Sequence, residues 1–228
     1  MTICIIPARK GSKRIKNKNI VKLNNIPLIG HVIKIALESK LFSKVIVSTD
    51  SKKIQSIAKK YGADVPFIRS KKLSNDFTTT RDVLIDCIKK IQAEKIKYIF
   101  CIYPTAILIN KNDLIKSFKK IKKYNYDYLI AISKYNSSPL RSLKVISQKR
   151  IIFKKLKYKN LRSQDLSQEY YDTGSFYIWK TKSILKKRVK WPKKSTFYEL
   201  SNLKSVDINT KEDLDLAKLL FQNKKKFL

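Results

Sequence analysis

Thr2-Ile3-Cys4-Ile5-Ile6-Pro7-Ala8-Arg9-Lys10-Gly11-Ser12-Lys13-Arg14-Ile15-Lys16-Asn17-Lys18-Asn19 is an apolar, β-branched run that turns abruptly into a basic loop. Segment 2–6 suits a strand buried on both faces. Beyond the loop, Leu28, Ile29, Val32, Ile33, Ala36 and Leu37 recur at three- and four-residue spacing, which predicts a helix with one apolar face. The unit then repeats. Residues 44–50 read as a strand, and Ile54, Ile57, Ala58 and Tyr61 mark a helix stopped by Gly62. Val65-Pro66-Phe67 reads as a short extended piece. Val83, Leu84, Cys87, Ile88 and Ile91 mark another helix, followed by a strand over 98–103, a helix over 112–123 and a strand over 128–132. Such alternation predicts an α/β fold, a mostly parallel sheet with helices on both faces. The rhythm lapses over 133–171, a length that suits a lid, substrate loop or dimerisation arm. It resumes with strands at 174–179 and 206–208. A final helix follows, with Thr210 and Asp213 placed as a capping box. With no linker-like composition, residues 1–228 read as one domain whose lysine-rich tail frays.

Composition narrows the function classes. The formal charge of +35 invites a polyanion partner. The lysines, however, are scattered in pairs such as Lys59-Lys60, Lys89-Lys90 and Lys119-Lys120, with Lys224-Lys225-Lys226 near the end. That pattern fits background drift toward Lys, Ile and Asn and predicts salt-sensitive, non-specific affinity rather than a specific nucleic-acid site. No stretch approaches a membrane span, and the early basic cluster does not fit a signal peptide, so a soluble cytoplasmic protein is expected. Cys4, Cys87 and Cys101 show neither disulfide nor metal spacing and read as buried thiols. His31, the only histidine, lies among apolar helix residues, so histidine-based catalysis is not expected.

The basic loop leaves the carboxyl end of the first strand, where open α/β sheets bind ligands. Its cations and small turn suit a triphosphate, although no Gly-Lys-Ser/Thr closes it as in a Walker A loop. By itself such a loop also reads as solvated surface. The whole run, with PARxGSKRxxxKN character after a first strand, resembles the acylneuraminate cytidylyltransferase family. The resemblance extends through Val45-Ile46-Val47-Ser48-Thr49-Asp50, Tyr61-Gly62-Ala63, Arg69, Asp76, Tyr103-Pro104-Thr105 and Asp207-Ile208-Asn209-Thr210. It implies a nucleotide-diphospho-sugar transferase type of fold and a loop that wraps CTP, with Arg9, Ser12, Lys18 and Asn19 on the nucleotide and Arg9, Lys18 and Asp207 as catalytic groups. Arg69 and Thr80 would hold cytosine and ribose. Thr78 to Thr80 also read as a helix N-cap, and Asp76 as either structural or functional.

The run at 207–210 resembles the family's D-I-D-T, whose alternate carboxylates can meet one Mg²⁺. Here the second position is Asn209, which can still offer an amide oxygen but removes a charge. Tyr103 replaces a glutamine that would touch the sugar. With Tyr171-Asp172-Thr173-Gly174-Ser175-Phe176-Tyr177 and Val65-Pro66-Phe67, it looks most similar to pseudaminic acid cytidylyltransferases. Tyr103, Arg141, Lys144 and Thr173 are the candidate sugar contacts; the two cations suit its carboxylate, although in this lysine-rich chain they also read as surface charge. The implied reaction is CMP transfer from CTP to a nine-carbon acidic sugar, pseudaminic acid first, with N-acetylneuraminic or legionaminic acid as alternatives. The resemblance also implies a homodimer, with 133–171 reaching toward the partner. A nucleic-acid-binding protein on a degenerate transferase fold is the rival from another class.

Overall fold

The computed structural model describes residues 1–186 and 191–224. In chain order the elements are β1 (Thr2–Pro7), β2 (Lys22–Leu23), β3 (Ile26–Pro27), α1 (Leu28–Glu38), β4 (Lys44–Ser48), α2 (Lys52–Lys60), α3 (Thr80–Lys90) and β5 (Tyr98–Ile102). They continue with α4 (Lys111–Lys123), β6 (Tyr128–Lys134), β7 (Leu143–Ser147), β8 (Arg150–Phe153), β9 (Tyr170–Lys180), α5 (Thr181–Ile184), β10 (Ser195–Glu199) and α6 (Lys211–Gln222). One six-stranded sheet in the order β10-β6-β9-β5-β1-β4 forms the centre. β1 runs parallel to both β4 and β5, and β10 parallel to β6, while β9 lies antiparallel between β5 and β6. Parallel strands need a crossover connection, which α1 supplies between β1 and β4, α2 with α3 between β4 and β5, and α4 between β5 and β6. β9 follows a long excursion instead, so no such crossover sets its direction.

Side-chain alternation divides the core into two layers. Cys4, Ile6, Val45, Val47, Phe100 and Ile102 face α1, α4 and α6, whereas Ile3, Ile5, Ile46, Ile99 and Cys101 face α3. All three cysteines are buried free thiols. His31 is buried as well; its Nε2 lies 2.9 Å from the Leu23 carbonyl, to which it donates, and its ring meets Phe221 edge-on at 4.6 Å. Gly62 ends α2 at φ 91°. There the Ala63 N–H donates to the Ala58 carbonyl at 3.1 Å and the Gly62 N–H to Lys59 at 3.0 Å, the Schellman pattern that favours glycine. The capping box of α6 is present, with Thr210 and Asp213 exchanging bonds.

One expected strand is revised. Residues 206–208 pair with no strand, although Ile208 is buried and Asp207 exposed, so alternate side chains still diverge. The strand at the β6 edge of the sheet is instead β10, whose polar Ser-Thr-Phe-Tyr-Glu run gives little apolar signal. The extended piece expected at 65–67 is present and runs along β4 between isolated bridges at Ile46–Asp64 and Thr49–Ile68. β2 and β3, joined by Asn24 and Asn25 at φ 46° and 61°, form a short hairpin that periodicity is too coarse to detect. Between β6 and β9 the excursion folds into the antiparallel pair β7–β8. Among the described residues no helix is long and apolar enough to cross a membrane. Lys225, Lys226 and the fraying expected of the tail lie outside the described residues.

Candidate active site

β1, β4 and β5 are parallel, so their carboxyl ends open on one edge of the sheet. A cleft of about 560 Å³ lies there, bounded by the basic loop, the turn after β5, the first half of β9 and the run at 207–209. The loop is held by backbone geometry before any ligand arrives. The Ala8 N–H extends the β1–β4 ladder to the Ser48 carbonyl at 2.9 Å, and the Lys10 N–H donates to Asp50 Oδ1 at 2.7 Å. Asn17 adopts the left-handed conformation at φ 56°, which asparagine tolerates, and turns the chain into a 3-10 turn over Lys18–Ile20. The buried Asn19 amide then donates to the Arg9 carbonyl at 2.9 Å and closes the loop on itself.

The cations converge on the cleft. Arg9 pairs with Asp76 at 2.7 Å and Lys13 pairs with the same carboxylate at 2.5 Å. Hydrogen bonds from Lys13 and Arg9 hold that carboxyl below the usual range. Lys18 Nζ donates to the Ile208 carbonyl at 2.5 Å. Burial pushes its ammonium below the ordinary lysine range, and the negative charge of Asp207 opposes that shift. Ser12, Tyr103, Asp207 and Asn209 also line the cleft. An adjoining hollow of about 200 Å³ is lined by Arg69, Asn75, Thr78 and Thr80, with Arg9, Asp76 and Tyr103 shared between the two spaces. Arg69 is buried, donates from Nε to Ser74 Oγ at 3.2 Å, and is anchored by its own N–H to the Thr49 carbonyl at 2.8 Å. Thr79 rather than Thr80 caps α3, which leaves the Thr80 hydroxyl to share a hydrogen bond with the Tyr103 phenol.

Tyr103 and Tyr177 form an aromatic wall, ring centroids 5.9 Å apart. The Tyr177 hydroxyl donates to Asp172, lying 2.7 and 2.9 Å from its two carboxylate oxygens. Burial, reinforced by the Asp172 charge, raises the Tyr177 phenol and keeps it protonated. Gly174, at φ 60°, lies beneath Asp207; a Cβ there would stand 3.8 Å from its carboxyl carbon, in a backbone conformation costly to other residues.

Three candidate sugar contacts are placed elsewhere. Thr173 is buried in β9, and its hydroxyl donates to the Ala131 carbonyl at 3.0 Å, where the β6–β9 register shifts. Gly174 and Tyr177 face the cleft in its place. Arg141 lines a separate hollow beside the β7–β8 arm with Tyr135, Phe153 and Gln168. Lys144 lies exposed on β7. For Arg141 and Lys144 the reason is topological, since β7 and β8 pair with each other as a two-stranded sheet of their own. The residues missing from the sequence reading are Arg14, which donates to Asn209 Oδ1 at 2.6 Å, and the Asp172–Tyr177 pair. Arg14 is a fixed position of the PARxGSKRxxxKN run, the signal that could have singled it out, but its partner 195 residues away is not readable from the loop. The five-residue separation of Asp172 and Tyr177 carries no signal.

The donor set bears on the magnesium ion. Asp207 offers a carboxylate to the cleft, while the Asn209 oxygen is turned to Arg14 and its Nδ2 donates to Asp207 Oδ2 at 2.5 Å. Among the described residues no cluster of three His, Cys, Asp or Glu could hold a metal by itself. One protein carboxylate suits Mg²⁺ that arrives on a triphosphate, whose oxygens complete its shell, and does not suit an all-protein metal cage.

The profile of the family described as "Cytidylyltransferase" matches residues 3–228. A pseudaminic acid cytidylyltransferase of Campylobacter jejuni is 34% identical over 222 residues, 96% of this chain and 96% of that protein. A CMP-N,N'-diacetyllegionaminic acid synthase of Legionella pneumophila is 30% identical over 224 residues, again 96% of each chain. In three dimensions the fold is similar to that of a CMP:2-keto-3-deoxy-manno-octonic acid synthetase complexed with CTP, with a TM-score of 0.73 at 14% identity, covering 97% of this chain and 98% of the other. Because that profile spans residues 3–228, essentially the full length, the chain belongs to the cytidylyltransferase family.

Proposed function

We propose that this protein transfers CMP from CTP to pseudaminic acid or a closely related acidic nine-carbon sugar, releasing pyrophosphate. The convergence of Arg9, Lys18 and Asp207 on one cleft at the carboxyl edge of the sheet carries the reading. The likeness to a relative named for pseudaminic acid selects the sugar. The anomeric hydroxyl of the sugar attacks the α-phosphorus of CTP, the P–O bond to pyrophosphate breaks, and the hydroxyl proton is lost to solvent. The nucleophile belongs to the substrate, so the protein need only align it and stabilise charge. Arg9 and Lys18 neutralise the phosphates, Asn19 and Ser12 shape the loop around them, and Arg69 with Thr80 holds the base and ribose in the adjoining hollow. Asp207 would hold Mg²⁺, which when bound supplies charge neutralisation at the phosphate oxygens. Tyr103 and Tyr177 face the sugar. β1 and β10, near the two ends of the chain, share one sheet, which supports a single catalytic domain over 1–228.

The test is pyrophosphate release from CTP, ATP, GTP and UTP against a panel of pseudaminic, legionaminic and N-acetylneuraminic acids. CTP with pseudaminic acid is expected to give the highest kcat/KM. Release with no sugar preference, or with another nucleotide equally well, would overturn the assignment.

The β7–β8 arm supports a homodimer. It exposes Val145 at 70% and Ile151 at 57% of their surface, a cost that a second copy would remove. In that arrangement Arg141 and Lys144 serve the neighbouring subunit's sugar carboxylate. Light scattering is expected to give about twice the 26.7 kDa chain mass, with Val145→Asp shifting it to one chain. A fully active monomer of the unaltered protein would refute the pairing.

A further inference from the structure

The Asn209 side chain is committed at both ends. Its Oδ1 accepts from Arg14 Nη2 at 2.6 Å, and its Nδ2 donates to Asp207 Oδ2 at 2.5 Å. Only this orientation is electrostatically acceptable, because the flipped amide would set N–H groups against the guanidinium and oxygen against the carboxylate. The backbone beneath is fixed independently, since the Asn209 N–H donates to Asp213 Oδ2 at 2.9 Å within the α6 cap. Arg14 and Asn209 are 195 residues apart in sequence, so this contact stitches the basic loop to the carboxylate run. Lys18, bonded to the Ile208 carbonyl, makes the neighbouring stitch. Arg14, Lys18, Asp207 and Asn209 all line the same cleft.

We propose that Asn209 is a positioning residue that locks Arg14 and Asp207 in mutual register, and that in the nucleotide-free protein it is not a cation ligand. An amide carries its acceptor and its donor on two separate atoms, so one short side chain can face a guanidinium with the first and a carboxylate with the second. A carboxylate at 209 would keep the Arg14 bond but face Asp207 with like charge, a combination that calls for a cation between them. An alanine would free both partners. Asn209 therefore lets Arg14 present a fixed positive charge to the cleft and keeps Asp207 aimed without a resident metal.

This inference rests on the cleft being the CTP site, and its test separates the two. Asn209→Ala and Arg14→Ala are each expected to lower kcat/KM for CTP by about 10- to 100-fold, as loss of a supporting hydrogen-bond partner commonly does. The double variant should fall little below the weaker single one, because both remove one interaction. Multiplying losses, or an unaffected Asn209→Ala, would overturn the proposal. If Asn209→Ala does not fold, Asn209→Leu, of similar size and without any hydrogen-bonding group, breaks the same two-ended bridge and replaces it in the cycle. Mn²⁺ binding without nucleotide, followed by electron paramagnetic resonance, is the second readout. The unaltered protein should leave Mn²⁺ free and Asn209→Asp should bind it; equal binding by both would refute the role. A wild-type protein that binds no CTP would sink the nucleotide-site reading instead.

Discussion

Arg9→Ala is expected to lower kcat by 10²- to 10³-fold, a barrier increase of about 3–4 kcal/mol, the usual cost of losing one preorganised donor. The fold should survive, since the Arg9 side chain is about one-third exposed and β1 is anchored by its ladder to β4 and β5. The ion pair with Asp76 adds a second consequence. Removing Arg9 leaves the Asp76 carboxylate facing the incoming phosphates with only Lys13 to balance it. Arg9→Ala combined with Asp76→Asn should therefore recover part of the lost CTP affinity, whereas Arg9→Lys should keep the charge but lose the planar fork. Steady-state kinetics with thermal melting controls read both effects. Near-normal kcat in Arg9→Ala would remove Arg9 from the reaction.

Asp207→Asn is expected to lower kcat/KM for CTP by about 10²-fold and to raise the Mg²⁺ concentration needed for half-maximal rate, because the last carboxylate of the 207–209 pair is lost. A pH effect should accompany it. Lys18 is already depressed by burial and is held up by the charge of Asp207. Without that charge its folded-state pKa falls further, so the ammonium loses its proton at lower pH. The alkaline limb of kcat/KM should move toward neutral pH, read from profiles with Mg²⁺ saturating. An unchanged magnesium titration would mean that another group holds the ion; a limb that stays in place would uncouple Lys18 from Asp207.

Much of the fold was legible because burial imposes a period on the residues themselves. The unbroken run Cys4-Ile5-Ile6 states that both faces of β1 are covered, and the three- and four-residue spacing from Leu28 to Leu37 states which side of α1 is inward. β10 escaped that reading because, unlike the buried edge strand β4, none of its residues is buried. Its partner β6 supplies the hydrogen bonds that define it, from 67 residues away at the Ser195–Tyr128 pairing. The reversed direction of β9 escaped for a related reason: strand polarity belongs to pairing geometry, not to composition.

The site divides in the same way. The basic loop, Arg69, Thr80 and Asp207 were marked in the sequence by residue type and by the family resemblance, since chemistry that neutralises phosphate needs cations and a carboxylate wherever the chain brings them. What the tertiary structure alone decided is which of these groups face one another. Arg14 meets Asn209, Lys18 meets the Ile208 carbonyl, Asp76 balances Arg9, and Tyr177 rather than Thr173 looks into the cleft. Hydrogen bonds and ion pairs act over about 3 Å whatever the separation along the chain. Periodicity speaks only for neighbours within a few turns. The composition and local architecture of this enzyme were therefore written in its sequence, while the wiring between its two ends existed only once the parallel strands had brought their carboxyl ends to a common edge.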